Sequence, residues 1–423
     1  MQSKKIKKEG RKNLILFLLS LFSCVLIVEI AIRLITSPSP YSYGTFLGHE
    51  LPPLRMIPYD TPPSKTDRSA WYNNLVVDDR KITTGDLWGL YRKDNLLGSA
   101  PMENTISLNG WWQSNNLGAR RRTETLKEKP EGRKRILVFG DSFTNCSRVP
   151  QEETWPHFLE SENENLEVVN FGVDGYSMCQ SFLRFQNTRK NIDHDLILLL
   201  FVPSLNLWRD VNVRRDLGEG GWYAKTLMPR FVLDHGELKL IRFPLGIFHP
   251  PQSRISDITD QKIKNHLKSY DRFYFKSRFE VPLILGESVI YKLIAAVYHK
   301  YKRNKIRSSL MSPDSEAAQV SKEIFLSMNK QIMSDGGKFI LTFLPARKDI
   351  DKLVNKKSFR DDWNKFVTFI CESGLNCIDL SEDLVNIPEN QLDTGYDGTH
   401  FGPKTNRHIA DYIKRHLDRS NLL

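Results

Sequence analysis

Arg135-Ile136-Leu137-Val138-Phe139-Gly140-Asp141-Ser142-Phe143-Thr144 is the stretch that decides the fold. An unbroken aliphatic and aromatic run ends at a glycine and is followed by polar residues. A continuous apolar run, rather than an alternating one, suits a strand covered on both faces. Four more runs share this character: Leu166–Phe171 (LEVVNF), Leu196–Val202 (LILLLFV), Lys338–Leu344 (KFILTFL) and the short Cys377–Leu380 (CIDL). Helical patterns lie between them. Residues 313–335 form one, with Ser312 before it and Pro313 at the first helical position. Residues 403–417 form another, with Ile409, Ile413 and Leu417 on one stripe. Strands alternating with helices predict an α/β fold, a three-layer α/β/α sandwich on a mostly parallel five-stranded sheet.

In open parallel sheets, sites form at the carboxyl ends of strands. The first strand is followed by Gly140-Asp141-Ser142, the second by Gly172-Val173-Asp174-Gly175, and the third by Pro203-Ser204-Leu205-Asn206-Leu207-Trp208-Arg209-Asp210. Asp397-Gly398-Thr399-His400 stands before the last helix. These four segments supply what acyl transfer to a serine requires. A hydroxyl needs a base near neutral pH, and imidazole suits that task. The base needs an acceptor to fix its tautomer, and Asp397 lies three residues from His400. A developing oxyanion needs donors: backbone N–H groups at a glycine turn and an amide such as Asn206. A Gly-x-Ser-x-Gly elbow is absent around Ser142.

These motifs resemble the four blocks of the SGNH (GDSL-type) hydrolases. VFGDSFT is similar to the first block, with Ser142 as nucleophile. NFGVDGYS is similar to the second, with Gly175 at the oxyanion glycine, and DGTHFGPKTNRHIA to the last, with Asp397 and His400 as the pair completing the triad. The third block departs from the family: Ser204 and Leu207 replace its usual Gly and Asp, while Asn206 remains. The resemblance covers roughly 115–210 and 325–417. It implies a flavodoxin-like SGNH fold and an oxyanion hole of Ser142 N–H, Gly175 N–H and Asn206. It also implies an acyl-enzyme mechanism, with no cofactor or metal. The chain looks similar to envelope polysaccharide O-acetyl esterases and O-acetyltransferases. An ester substrate on a glycan or lipid is therefore expected, with O-acetyl groups foremost. Two other readings stand beside the esterase. One is an O-acetyltransferase for an exported polysaccharide using the same triad, with a polysaccharide-export or acyl-donor membrane partner. The other is a catalytically inactive glycan- or protein-binding domain.

The organisation outside these blocks begins with a basic tail. Residues 1–12 carry +5 of the net +11, leaving +6 for the other 411 residues. Residues 13–36 (NLILFLLSLFSCVLIVEIAIRLIT) follow, with no charge, Pro or Gly from Leu14 to Val28. Twenty-four helical residues span about 36 Å, enough for a hydrocarbon core of about 30 Å. The preceding lysines place the tail in the cytoplasm, and no small-residue cleavage site follows. The expectation is a single-pass signal anchor with the catalytic domain extracytoplasmic, either periplasmic or extracellular. Glu29 and Arg33, four apart, can pair on one helical face. Residues 37–133 read as an irregular neck whose Trp71, Trp88, Trp111 and Trp112 imply packing on the domain. The hydrolase domain comprises 134–210 and 312–423, interrupted by a cap at 211–311 with a hairpin signal around Asp234-His235-Gly236-Glu237. The run Lys300-Tyr301-Lys302-Arg303-Asn304-Lys305 reads as a solvated face, or as a site for an anionic polysaccharide or lipid headgroup.

Composition excludes several classes. Hydrophobic residues make 40% and charged residues 26%, outside the collagen, low-complexity and polytopic-membrane ranges. No basic, aromatic-interleaved motif supports nucleic-acid binding. No C-x-x-C, HExxH or Cys/His cluster supports a zinc site. Cys24 lies in the apolar segment. Of Cys146, Cys179, Cys371 and Cys377, the last two bracket a Ser373-Gly374 turn and can bridge; two disulfides or reduced buried thiols both fit the count.

Overall fold

The computed structural model describes residues 2–39, 43–47, 49–52, 76–77, 80–81, 90–107, 109–213, 228–242, 261–420 and 422. Trp71, Trp88 and parts of the neck and cap lie outside the described residues. The central sheet contains β1 (Lys134–Phe139), β2 (Leu166–Asn170), β3 (Leu196–Phe201), β4 (Lys338–Phe343) and β5 (Cys377–Asp379). Their order is β5-β4-β3-β1-β2, and every pairing is parallel. Each strand lies within one residue of its expected run, and the sheet has the five parallel strands the sequence predicts.

The helices include α1 (Gln2–Ile35), α2 (Ser142–Asn145), α3 (Trp155–Ser161), α4 (Met178–Thr188), α5 (Pro203–Asp210), α6 (Val289–Ser309), α7 (Glu316–Ser334), α8 (Lys357–Cys371) and α9 (Pro403–Arg419), with further helices between them. The strands divide their side chains between two apolar layers, as period-two geometry requires. Leu137, Phe139, Ile197, Leu199 and Phe201 pack with Phe182 and Phe185 of α4, Ile324 and Phe325 of α7, and Trp363 and Phe366 of α8. Ile136, Val138, Leu198 and Leu200 pack on the other face with Trp155 of α3 and Ile409 and Ile413 of α9. Both faces are thus covered, which explains why the strands lack polar alternation.

Two expectations shift in detail. The helix expected to open at Pro313 begins at Glu316, because Ser315 rather than Ser312 accepts the hydrogen bond from Ala318 N, at 3.0 Å. The neck is not wholly irregular: it holds antiparallel pairs at Gly44–Phe46 with His49–Leu51, and at Tyr91–Asp94 with Gly98–Pro101. The cap carries the expected hairpin, Arg230–Asp234 with Glu237–Ile241, together with the 21-residue helix α6. Cys371 and Cys377 form a disulfide, while Cys146 and Cys179 are free and buried.

The strand order reverses direction of growth between β1 and β3, so a crevice opens at their carboxyl ends. Gly140 makes the exit from β1 possible. Its φ is +152°, and a Cβ there would sit 2.1 Å from Thr144 Oγ1 and 2.8 Å from Leu200 O.

Among the described residues one helix, Lys12–Ile35, is long and apolar enough to cross a membrane, and its apolar stretch is not buried against the rest of the chain. The expected ion pair on it is present, with Arg33 Nε 2.9 Å from Glu29 Oε1.

Candidate active site

Ser142 opens α2 immediately after β1. Asp141 caps that helix: its Oδ1 accepts from Phe143 N at 3.0 Å. The serine is 5% exposed, at the base of the crevice. His400 arrives from the loop before α9. Its Nε2 lies 2.8 Å from Ser142 Oγ, and its Nδ1 lies 2.5 Å from Asp397 Oδ2. A carboxylate only accepts, so the imidazole proton sits on Nδ1 and Nε2 is left to accept from the serine hydroxyl. Asp397 Oδ1 accepts from the backbone N–H of Thr399 and of His400, both at 3.0 Å. Burial pushes the Asp397 carboxyl up, but the hydrogen bonds from His400 and Thr399 outweigh it and hold the group well below the usual carboxylate range. The Phe143 ring packs against the imidazole at a centroid distance of 4.7 Å, which restricts its rotation.

Two backbone donors face no protein acceptor among the described residues: the N–H of Ser142, first in its helix, and the N–H of Gly175, whose φ is +70°. The other glycine of that block, Gly172, is required by close approach. A Cβ on it would meet Asn145 N at 2.5 Å. The β2–α4 turn therefore lies directly against α2.

Asn206, the expected side-chain donor of the oxyanion hole, lies beside Asp141. It is fully buried, and its Nδ2 donates to Asp141 Oδ2 at 3.2 Å and to Tyr176 O at 3.3 Å, while its Oδ1 accepts from Val202 N at 2.7 Å. Arg209 Nη1 reaches the same two acceptors, at 2.7 and 3.3 Å. Asn206 thus holds the carboxylate of Asp141, the residue before Ser142.

Three residues outside the expected set complete the site. Arg209 Nη1 lies 2.7 Å from Asp141 Oδ2, joining Asn206 on the same oxygen. Arg148 bridges Asp397 Oδ2 at 3.2 Å and Asp174 Oδ2 at 3.3 Å, and its guanidinium lies over the Tyr396 ring. Arg120, fully buried, donates from Nη2 to Trp111 O and Val149 O at 2.9 and 2.7 Å, and from Nη1 to Asn145 O. That arginine ties the neck to the segment after α2, and Trp112 Nε1 adds a bond to Asn145 Oδ1 at 3.1 Å. Burial raises Asp174, yet the Arg148 charge and bonds from Asn145 and Ser147 bring it below the usual carboxylate range. The sequence offered one signal for these partners, the concentration of Arg beside the blocks. Their pairings are long-range and have no spacing to read.

Among the described residues, no group of three or more His, Cys, Asp or Glu is placed to hold a metal ion.

Known proteins of similar structure include a lipolytic protein of the G-D-S-L family from Veillonella parvula. It is 13% identical, with a TM-score of 0.32, covering 68% of this chain and 99% of that one. An acetyl xylan esterase, AlAXEase, is 13% identical with a TM-score of 0.33, covering 66% and 98%. TesA is 11% identical with a TM-score of 0.34, covering 69% and 100%. The chain is similar to GDSL-type lipolytic proteins. No family model matches the sequence, and no curated protein matches it.

Proposed function

We propose that this protein is a serine esterase of the SGNH type, tethered by α1 and facing away from the cytoplasm. One observation carries the reading: Ser142 Oγ, the His400 ring and the Asp397 carboxylate form a continuous hydrogen-bonded line, with separations of 2.8 and 2.5 Å. As Ser142 Oγ attacks an ester carbonyl, its proton passes to His400 Nε2. Asp397 stabilises the imidazolium that results. The carbonyl oxygen becomes an oxyanion within reach of the Ser142 and Gly175 N–H groups. Collapse expels the alcohol, which takes the proton back from His400 and leaves an acyl-serine. Water, deprotonated by the same imidazole, then attacks the acyl carbon and frees the acid.

The substrate class proposed is an O-acyl ester, with O-acetyl foremost, on an envelope glycan or lipid. The tether and the four-block resemblance support it. If a sugar hydroxyl takes the place of water, the same acyl-serine yields an acetylated glycan.

Trapping Ser142 with a fluorophosphonate tests the nucleophile. Labelling is expected in the wild type and is lost in both Ser142→Ala and His400→Ala. An acetyl-ester turnover assay with and without glycan acceptor then reads the fate of the acyl group. Equal turnover by wild type and Ser142→Ala would overturn the enzyme reading.

A further inference from the structure

The cap carries an apolar surface that the proposed chemistry does not use. Leu283 and Ile284 are 95% and 88% exposed, and Leu285 beside them is also exposed. On α6, Ile294, Val297, Tyr298 and Tyr301 are exposed at spacings of three, one and three, which places them on one face. Exposed Lys300 and Lys302 flank that face, Lys305 ends it one turn after Tyr301, and Lys302 Nζ sits over the Tyr298 ring at 4.9 Å. A cleft of about 570 Å³ beside it has Lys276, Tyr291, Tyr298 and Lys302 among its walls. An exposed apolar stripe rimmed by lysines is the pattern of a helix lying at a membrane interface.

The position of this surface identifies its occupant. The end of α1 is seated on the start of α6. Glu29 accepts from Val289 N at 2.7 Å, from Ile290 N at 3.0 Å and from Ser288 Oγ at 2.9 Å. Arg33 donates to Glu287 O, and Ile32 packs against the cluster of Leu51, Val289 and Ala296. The charge-free stretch Leu14–Val28 is 15 residues long and covers only about 22 Å. A hydrocarbon core of about 30 Å therefore extends about 8 Å further, to the level of Glu29–Ile35. The backbone of Glu287–Ile290 is at that level, and Leu283–Leu285 is two to four residues away. Glu29 is matched there to a helix N-terminus and to Arg33, which lowers the cost of placing both charges near lipid.

Resting on the reading of α1 as a membrane anchor, we infer that residues 281–301 form a second membrane contact. Leu283–Leu285 enter the leaflet beside the anchor. The stripe of α6 lies on the interface, with its lysines toward anionic headgroups.

The test uses the full chain in vesicles of phosphatidylcholine and phosphatidylglycerol, with and without doxyl-labelled lipid. Cys371 and Cys377 are paired and Cys146 and Cys179 are buried, so Cys24 offers the exposed thiol for an environment-sensitive fluorophore. In a Cys24→Ser background, Ile284→Cys, Val297→Cys and the remote Asp362→Cys carry the same label. The expected result is quenching of at least about twofold at 24, 284 and 297, with none at 362. Quenching at 24 without quenching at 284 and 297 overturns the second contact and leaves the anchor standing. Protection of 284 and 297 from aqueous iodide without lipid quenching also overturns it, since a protein would then cover the face. An unquenched label at 24 overturns the anchor reading itself.

Discussion

Asp141 divides its two carboxylate oxygens between two tasks. Oδ1 caps the helix that begins with Ser142, while Oδ2 holds Asn206 and Arg209. The carboxylate is wholly buried and Arg209 nearly so. Removing the cation strands a buried charge, which typically costs about 3 kcal/mol or more. Arg209→Met is therefore expected to lower stability by about that amount and to loosen the nucleophile's helix. Chemical denaturation and kcat read the two effects, and adding Asp141→Asn should restore part of the stability. The next residue, Asp210, sits in a different environment. Burial lifts its carboxyl to about 7 from an ordinary value of 3.8, despite bonds from Cys179 N and Ser321 Oγ. Between those values the unfolded chain has released its proton while the folded one keeps it. Stability should then fall as pH rises through that window and level off above it. Asp210→Asn keeps an acceptor but removes the titration, so its melting temperature should gain on the wild type as pH rises from 5 to 7.5. A constant gap between the two proteins would show that Asp210 is ionised when folded. Neither pairing could be read from spacing. The candidates Ser142, Asp397 and His400, which the fold brings into one hydrogen-bonded line, could be named from it because they lie in short contiguous blocks. Asn206, Arg209 and Asp210 share one block, and only the fold determines which partner each side chain meets.

Among the elements, the legible ones are those whose signal is local and continuous. All five strands ran close to their expected bounds because burial on both faces leaves an uninterrupted apolar stretch. Helix α9 was legible through Ile409, Ile413 and Leu417, which face the core together. Helix α6 was not. Its inner face holds Lys292, His299 and Arg303 among the alanines, and its outer face carries Ile294 and Val297, which inverts the usual amphipathic pattern. The disulfide from the end of α8 to the start of β5 closes a short loop at the edge of the sheet, away from the β1–β3 crevice. A loop of this size is worth about 2 kcal/mol by restricting the unfolded chain. The double variant Cys371→Ser/Cys377→Ser should lose about that much in denaturant unfolding while kcat is unchanged. A fall in kcat as large as the fall in stability would show that the sheet edge communicates with the triad.

For the whole molecule, the division of charge and the seating of α1 bear on the same question, how the catalytic domain is held. Nearly half of the net +11 lies before the apolar stretch of α1, where on the proposed reading it sets the topology. At the other end of that helix, Glu29 supplies the cap for α6, a bond between residues 260 positions apart. A flexible tether would leave α6 with only the Ser288 hydroxyl, which accepts from Tyr291 N at 3.2 Å. Two backbone donors, Val289 N and Ile290 N, have Glu29 as their acceptor instead. Replacing Glu29 by Ala should cost about 1 kcal/mol of local stability there, equivalent to roughly fivefold faster amide exchange. Hydrogen exchange on the full chain in nanodiscs measures this peptide by peptide. Faster exchange is expected at 289–291, with protection unchanged in β1 and α9 and esterase turnover retained. Unchanged exchange at 289–291 would mean that the anchor and the cap are joined only by the chain. A gain confined to those residues would mean that Glu29 caps α6 in the intact chain.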